Sequence, residues 1–301
     1  MDGIVTEIMR FSLKDGPGIR TTVFLKGCNM VCKWCHNPET LSMAPQVMRY
    51  PAKCIGCGAC IAACAHNALA PDASAAGGIA YSREKCVSCG ACADKCYSGA
   101  IVVSGVKMSA GEVMAEVAQD IDYYRNSGGG LTISGGEAAC QPEFTCELLG
   151  AAKRAGIQTA IETNMLAAWP VYEKMLPDLD LVMLDIKLSG DAAHREWTGA
   201  GNAGLLENAK RISEQKPVIV RTPVIPGVND NAEEIGKIAA LVKELDNVIC
   251  YELLLYNPLG ESKYAALGEN HEFAGARPAG AAQASALKEA AMASGVPVKV
   301  V

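Results

Sequence analysis

Three groups of cysteines dominate the chemistry open to this chain: Cys28, Cys32 and Cys35; Cys54, Cys57, Cys60 and Cys64; and Cys86, Cys89, Cys92 and Cys96. Cys140, Cys146 and Cys250 stand alone, and small buried apolar side chains are their natural reading. Closely spaced thiolates are soft ligands for iron or zinc. The first group, Cys-x3-Cys-x2-Cys, offers three thiolates from one short loop, whereas a structural zinc or a closed cluster takes four. A 4Fe-4S cubane held by three cysteines keeps one iron open, able to act as a Lewis acid or to chelate the amino and carboxylate groups of an amino-acid-like ligand. The competing reading is a structural metal with a distant fourth ligand, which Cys140 or Cys250 could supply.

The second and third groups share one spacing, Cys-x2-Cys-x2-Cys-x3-Cys, repeated about 32 residues apart. This is the bacterial ferredoxin pattern, in which the fourth cysteine serves the other cluster. By that rule Cys54, Cys57, Cys60 and Cys96 hold one 4Fe-4S centre, and Cys86, Cys89, Cys92 and Cys64 hold the second. The proline that usually follows the fourth cysteine is Ala65 in one repeat and Tyr97 in the other, which removes no ligand. Two interleaved four-thiolate zinc sites are the alternative. The repeat marks residues 47–106 as an inserted module, rich in Ala and Gly and poor in large apolar side chains, which clusters would have to organise.

These ligands need a scaffold, and 301 residues with half their composition apolar can bury one. Fourteen cysteines would be out of place as disulfides in a reducing compartment. No apolar run reaches the roughly 18 residues of a bilayer span, and Met1-Asp2-Gly3-Ile4 lacks the regions of a signal peptide. A cytoplasmic protein without a membrane partner is expected. A formal charge of -6 and a pI near 5.4 carry no basic footprint for nucleic acid.

Buried-looking runs at residues 21–25, 131–134, 157–161, 180–186, 217–222 and 248–254 alternate with helical stretches. One helix starts from a capping box, Ser109 with Glu112, and keeps Val113, Val117, Ile121 and Tyr124 on one face; another covers residues 142–155. Six strands separated by helices predict a parallel α/β architecture with ligands at the carboxyl ends of the strands. Residues 265–280, rich in Gly and Ala, read as a loop before a final helix.

With Trp34 directly before its last cysteine, the Cys28/Cys32/Cys35 spacing resembles the signature of the radical SAM superfamily. Asp15-Gly16-Pro17-Gly18-Ile19-Arg20 and His36-Asn37-Pro38-Glu39, on either side, resemble the activating enzymes of glycyl radical enzymes, in the subgroup that carries a two-cluster insert. The resemblance extends from Phe11 to about Tyr264. It implies a partial (β/α)6 barrel built from residues 1–46 and 107–301, with a ferredoxin-like α+β domain over residues 47–106.

The resemblance also implies a cofactor pocket. Gly135-Gly136-Glu137 is similar to the motif that receives the amino group of S-adenosylmethionine, and a carboxylate at Glu137 suits an ammonium. Trp34 would lie beside it. Asp185 and Lys187 share a face because strand side chains alternate; Lys187 would join the catalytic set by approaching the cofactor carboxylate, with Asp185 lining the same pocket. A solvated charge pair is the plainer reading. Glu162-Thr163-Asn164 matches a segment that family members place around a monovalent cation, with Glu where the best-known members have Asp. Arg221 resembles the arginine that contacts the cofactor, its plainer role being an ion pair at the barrel rim. Several members have Tyr-His where this chain has Tyr256-Asn257; Asn257 can hydrogen-bond to a ribose or adenine edge but carries no proton.

The activity implied is reductive cleavage of S-adenosylmethionine to methionine and a 5'-deoxyadenosyl radical, which takes a hydrogen from a glycine of a partner glycyl radical enzyme. Three 4Fe-4S clusters, a flavodoxin or ferredoxin-type reductant and an anaerobic setting follow from it. A radical SAM enzyme acting on a small molecule or peptide is the alternative, and a pure electron carrier would share only the insert.

Overall fold

The computed structural model describes residues 1–301. Thirteen strands form: β1 (Asp2–Ser12), β2 (Arg20–Leu25), β3 (Gln46–Arg49), β4 (Leu69–Pro71), β5 (Ile79–Tyr81), β6 (Ile101–Ser104), β7 (Val106–Ser109), β8 (Gly130–Gly135), β9 (Gln158–Thr163), β10 (Leu181–Asp185), β11 (Val218–Val224), β12 (Val248–Leu255) and β13 (Val298–Val300). Nine of them make one open sheet in the order β13-β12-β11-β10-β9-β8-β2-β1-β7. The six expected strands are β2 and β8 to β12, paired in parallel in chain order. Three further strands extend the sheet: β1 and β7 run antiparallel at one edge, and β13 adds in parallel at the other. No helix is long and apolar enough to cross a membrane.

Alternation along the strands separates two faces. Val23, Leu25, Leu131, Ile133, Ile161, Val182, Leu184, Val220 and Leu253 join a buried core with Leu148, Ile212 and Ile238 from the surrounding helices. Their neighbours in sequence turn inward. Deep in the barrel these are apolar, with Ala160, Leu181, Met183, Ile219 and Cys250 in one cluster. Towards the carboxyl ends they become Ser134, Glu162, Asp185 and Arg221. The same period-two alternation thus makes a dry floor and a charged rim.

The capping box forms as expected: Glu112 N donates to Ser109 Oγ at 3.2 Å, and Ser109 N donates to Glu112 Oε2 at 2.7 Å. The helix it starts is not continuous. It runs Ala110–Val117, passes through a 3-10 turn at Ala118–Asp120 and resumes over Ile121–Ser127. The turn delivers the buried Asp120 carboxylate to Arg10 Nε at 2.8 Å and Thr21 Oγ1 at 2.9 Å, which ties the helix to β1 and β2.

Between β2 and β7 the chain leaves the sheet. There β3 pairs antiparallel with β6, and β4 with β5. The core of this region is small: Val47, Cys60, Leu69, Ile79, Cys92 and Ile101.

Candidate active site

At the carboxyl ends of the parallel strands lies a cavity of about 390 Å³, the size of a small-molecule site. All the residues expected for the cofactor pocket line it: Cys28, Cys32, Trp34, Cys35, Gly135, Gly136, Glu137, Glu162, Asp185, Lys187, Arg221 and Asn257. Neither Cys140 nor Cys250 does. Cys250 lies in the apolar floor, whereas Cys140 sits beside the loop, its Cβ 3.4 Å from where a Cβ on Gly27 would stand.

The cysteine loop is held through its main chain. Gly27 N donates to Thr40 O at 2.7 Å, Val31 N to Thr198 O at 2.9 Å, and Lys33 N to Trp197 O at 3.0 Å. Asn164 Nδ2 donates to Asn29 Oδ1 at 2.8 Å, bracing the loop from β9. Burial pushes the Cys28 and Cys35 thiols up to about 12 and raises that of Cys32. Thiols so reluctant to ionise become good ligands only when a strongly charged metal centre draws off their protons. Three such thiols facing one polar cavity fit an iron-sulfur cluster with an open position.

Gly135 and Gly136 bring the β8 turn against that loop. A Cβ on Gly135 would lie 2.1 Å from Leu25 O, and one on Gly136 would lie 2.2 Å from Gly27 O; Gly135 also holds φ at +119°. Only glycine allows this approach. The Glu137 carboxylate accepts from Ala139 N at 3.0 Å, Thr163 Oγ1 at 2.8 Å and Asn164 N at 2.7 Å. It is buried to 1 % exposure. Burial raises its pKa against the opposing pull of those three donors. Its visible work is to lock the β8 and β9 ends together beneath the cysteine loop.

An ion network lines the inner rim. Lys187 pairs with Asp185, and Arg221 pairs with Glu162, which also takes the Ser134 hydroxyl. Arg221 Nε donates to Glu252 Oε2 at 3.0 Å, and Arg221 Nη2 to Lys14 O at 2.6 Å. Burial opposes the charge of both cations, but Asp185 with the neighbouring thiols, and Glu162 with Glu252, outweigh it and raise both pKa values. Burial also raises the pKa of Glu162, with Arg221 pulling the other way. Asn257 Oδ1 accepts from Leu259 N at 3.2 Å and caps a short turn at the cavity edge.

Several participants lie outside the expected set. Glu252 lies directly across from Arg221 in the β11–β12 register, so strand alternation could have found it. Phe273 comes from the Gly/Ala-rich stretch read as an uninformative loop. It packs edge-on against Trp34 at 6.4 Å and lies 6.0 Å from Trp197 and 6.3 Å from Tyr256. These rings wall one side of the cysteine loop, and no local periodicity announces them.

The insert repeats one local design twice. Gly58 and Gly90, both left-handed, precede the short helices Ala59–Ala62 and Ala91–Asp94. Gly56 N lies 3.5 Å from Cys54 Sγ, and Ser88 N 3.4 Å from Cys86 Sγ; Ala68 N and Ile101 N each donate to the fourth thiol of their repeat at 3.3 Å. One cavity is lined by Cys54, Cys57, Cys60 and Cys96, and a second by Cys64, Cys86, Cys89 and Cys92. Each foursome surrounds a space.

Comparison with known proteins agrees with this geometry. Residues 85–241 match the radical SAM superfamily, and residues 53–100 match the 4Fe-4S dicluster domain. The isethionate sulfite-lyase activating enzyme of Nitratidesulfovibrio vulgaris is 41% identical over 87% of this chain and 86% of its own. The (2S)-3-sulfopropanediol sulfolyase activating enzyme of Bilophila wadsworthia is 41% identical over 91% and 92%. The benzylsuccinate synthase activating enzyme of Thauera aromatica is 38% identical over 99% of this chain and 92% of its own.

Proposed function

The chain belongs to the radical SAM enzymes that activate glycyl radical enzymes, and from that premise we propose which residues carry each part of the reaction. The enzyme reductively cleaves S-adenosylmethionine and abstracts a hydrogen from a glycine of a partner glycyl radical enzyme; iron-sulfur clusters and S-adenosylmethionine are its cofactors. Cys28, Cys32 and Cys35 hold the cluster that, when bound, supplies one electron to the sulfonium. Two further 4Fe-4S clusters occupy the insert on the crossed sets Cys54/Cys57/Cys60/Cys96 and Cys64/Cys86/Cys89/Cys92, three clusters in all. The reductant is of flavodoxin or ferredoxin type, and the reaction belongs to an anaerobic cytoplasm without nucleic-acid partners.

Lys187 offers the cofactor carboxylate an ammonium that Asp185 keeps charged. Glu137 holds the turn in place, so the main chain of Gly135 and Gly136 and the carboxylate of Asp185 are left to face the amino group. Arg221 is fixed between Glu162 and Glu252, which orients it towards the pocket without side-chain freedom. Asn257 borders the same pocket at the end of β12. A monovalent cation beside Glu162 would share its carboxylate with Arg221 and the Ser134 hydroxyl. The wall of Trp34, Tyr256 and Phe273 keeps water from a primary carbon radical.

One observation carries this assignment: every residue of the expected pocket lines a single cavity beside the three-thiol loop. The test mixes reconstituted, reduced enzyme with S-adenosylmethionine and a candidate glycyl radical enzyme under argon. A glycyl radical doublet in the electron paramagnetic resonance spectrum of the client is expected. Turnover of a small molecule or peptide with no doublet from any client tried would move the assignment to the rival class.

A further inference from the structure

The two cluster sites of the insert stand at different distances from the cysteine loop of the barrel. The β3–β6 ladder sets the scale, pairing Gln46 with Ser104 at one end and Arg49 with Ile101 at the other. The Gln46 end abuts the barrel: Lys26 Nζ donates to Gln46 Oε1 at 2.9 Å, and Ser104 Oγ to Glu39 O at 3.5 Å. Lys26 and Glu39 flank the Cys28–Cys35 loop. The cavity of Cys64, Cys86, Cys89 and Cys92 is lined by Val47, next to the abutting end, while the cavity of Cys54, Cys57, Cys60 and Cys96 is lined by Arg49 and Ile101 at the far end. Two residues of strand separate Val47 from Arg49, about 7 Å.

A second connection favours the same site. The helix Glu261–Leu267 begins at the cysteine loop: a Cβ on Gly260, just before it, would lie 3.5 Å from Cys35 O and 3.2 Å from His36 Cα. At its other end the Leu267 carbonyl accepts from Arg83 Nη2, three residues before Cys86. Met48, Ala266 and Leu267 pack together beneath that contact. Seven helical residues, about 10 Å, therefore span from Cys35 to the arginine that precedes the second cluster site. The first site makes no hydrogen bond to this helix, though Tyr50 and Val102 beside its lining pack on the same three residues; Ile55 and Tyr97 around it stand 70% and 89% exposed, against 60% for Val87 at the second site.

We propose that the insert is an ordered relay in which the Cys54/Cys57/Cys60/Cys96 site receives the electron and the Cys64/Cys86/Cys89/Cys92 site passes it to the barrel, with Arg83 as the positioning residue that docks the inner site on the helix Glu261–Leu267. The inference rests on the ligand assignment above. One low-potential protein donor loses one electron, and that electron ends in the sulfonium, whose carbon-sulfur bond breaks to methionine and a deoxyadenosyl radical. No other co-reactant is needed.

The test uses the full chain with all clusters loaded and a reduced ferredoxin as donor, read by freeze-quench electron paramagnetic resonance. Arg83→Gln touches no ligand. It is expected to leave three cluster signals and the cleavage driven by dithionite, a small diffusible reductant, unchanged, while slowing reduction of the Cys28/Cys32/Cys35 cluster by ferredoxin about tenfold, the worth of one charge-assisted hydrogen bond. Arg83→Lys, which keeps a donor, is expected to recover most of the rate. In the wild type, spin-spin broadening of the barrel cluster is expected from the Cys86 cluster and to vanish in Cys86→Ala but not in Cys57→Ala. Broadening that vanishes in Cys57→Ala instead reverses the order. A ferredoxin rate unchanged by Arg83→Gln overturns the role given to Arg83. Dithionite-driven cleavage lost in the wild type would strike the functional assignment itself, a separate failure.

Discussion

The barrel loop and the insert offer the same ligand, a cysteine thiol, from opposite kinds of scaffold. Cys28, Cys32 and Cys35 sit over a 40-residue buried core, and the backbone around them is fixed by hydrogen bonds to Thr40, Thr198 and Trp197. The eight thiols of the insert border a core of six buried residues, two of which, Cys60 and Cys92, are themselves expected ligands. Their electrostatics differ in part, since burial also raises Cys60 and Cys92 in the insert. Burial pushes Cys28 and Cys35 up, whereas at Cys64 the amide of Ala68 lowers the pKa, and at Cys96 the amide of Ile101 and the Ser98 hydroxyl prevail over burial to the same effect. The barrel builds a site that exists before its cluster arrives. The insert is expected to use clusters as core.

Iron removal should separate the two regions most clearly. Under anaerobic chelation, hydrogen exchange is expected to lose protection throughout residues 47–106 while β8 to β11 stay protected. Equal loss in both regions would show that the barrel also depends on metal for its fold.

The same substitution should then have unequal consequences in the two regions. Gly135→Ala drives a methyl into the Leu25 carbonyl at a φ of +119°, so it should cost well above the roughly 1 kcal/mol of an ordinary point change, read as a large drop in midpoint temperature. Gly58→Ala meets open space and carries only the left-handed backbone penalty of about 1–2 kcal/mol. Similar losses at both positions would mean that the close approach of the β8 turn to β2 is not what demands glycine.

A smaller effect is expected at Asp120. The hydrogen bond from Arg10 is the main cause that holds its carboxyl below the ordinary 3.8, despite burial. A depressed folded pKa contributes stability that is present above pH 3.8 and lost as pH falls through the folded value. In the iron-free protein Asp120→Asn should cost about 1–3 kcal/mol at neutral pH, and urea titrations should show the gap to wild type closing in strong acid. A gap that persists there would assign the loss to packing.

The parts of this molecule that were legible in the sequence are those written in local periodicity or in ligand spacing. The six parallel strands carry runs of alternating or continuous apolar residues, and each formed within two residues of its expected ends. The expected pocket residues sit at strand ends or on the cysteine loop, where a spacing of two or three residues decides which side chains meet. What escaped depends on partners distant in the chain. Strand β1 is mostly half-exposed and becomes a strand because β2 and β7 flank it. The capped helix breaks at Asp120 because Arg10 and Thr21 claim its carboxylate. The partners that hold Glu137 at the cavity, Thr163, Asn164 and Ala139, come partly from the next strand end. Phe273 reaches Trp34 from a segment with no periodicity at all.

The three-thiol loop is assigned here as the radical-generating site, and one anaerobic assay tests that directly. The protein is reconstituted with iron and sulfide, reduced with dithionite and given S-adenosylmethionine, and 5'-deoxyadenosine is quantified beside a Cys32→Ala control. Cleavage by the wild type that disappears in the control is the predicted result. Full cluster loading without cleavage, or cleavage that survives in Cys32→Ala, would contradict it.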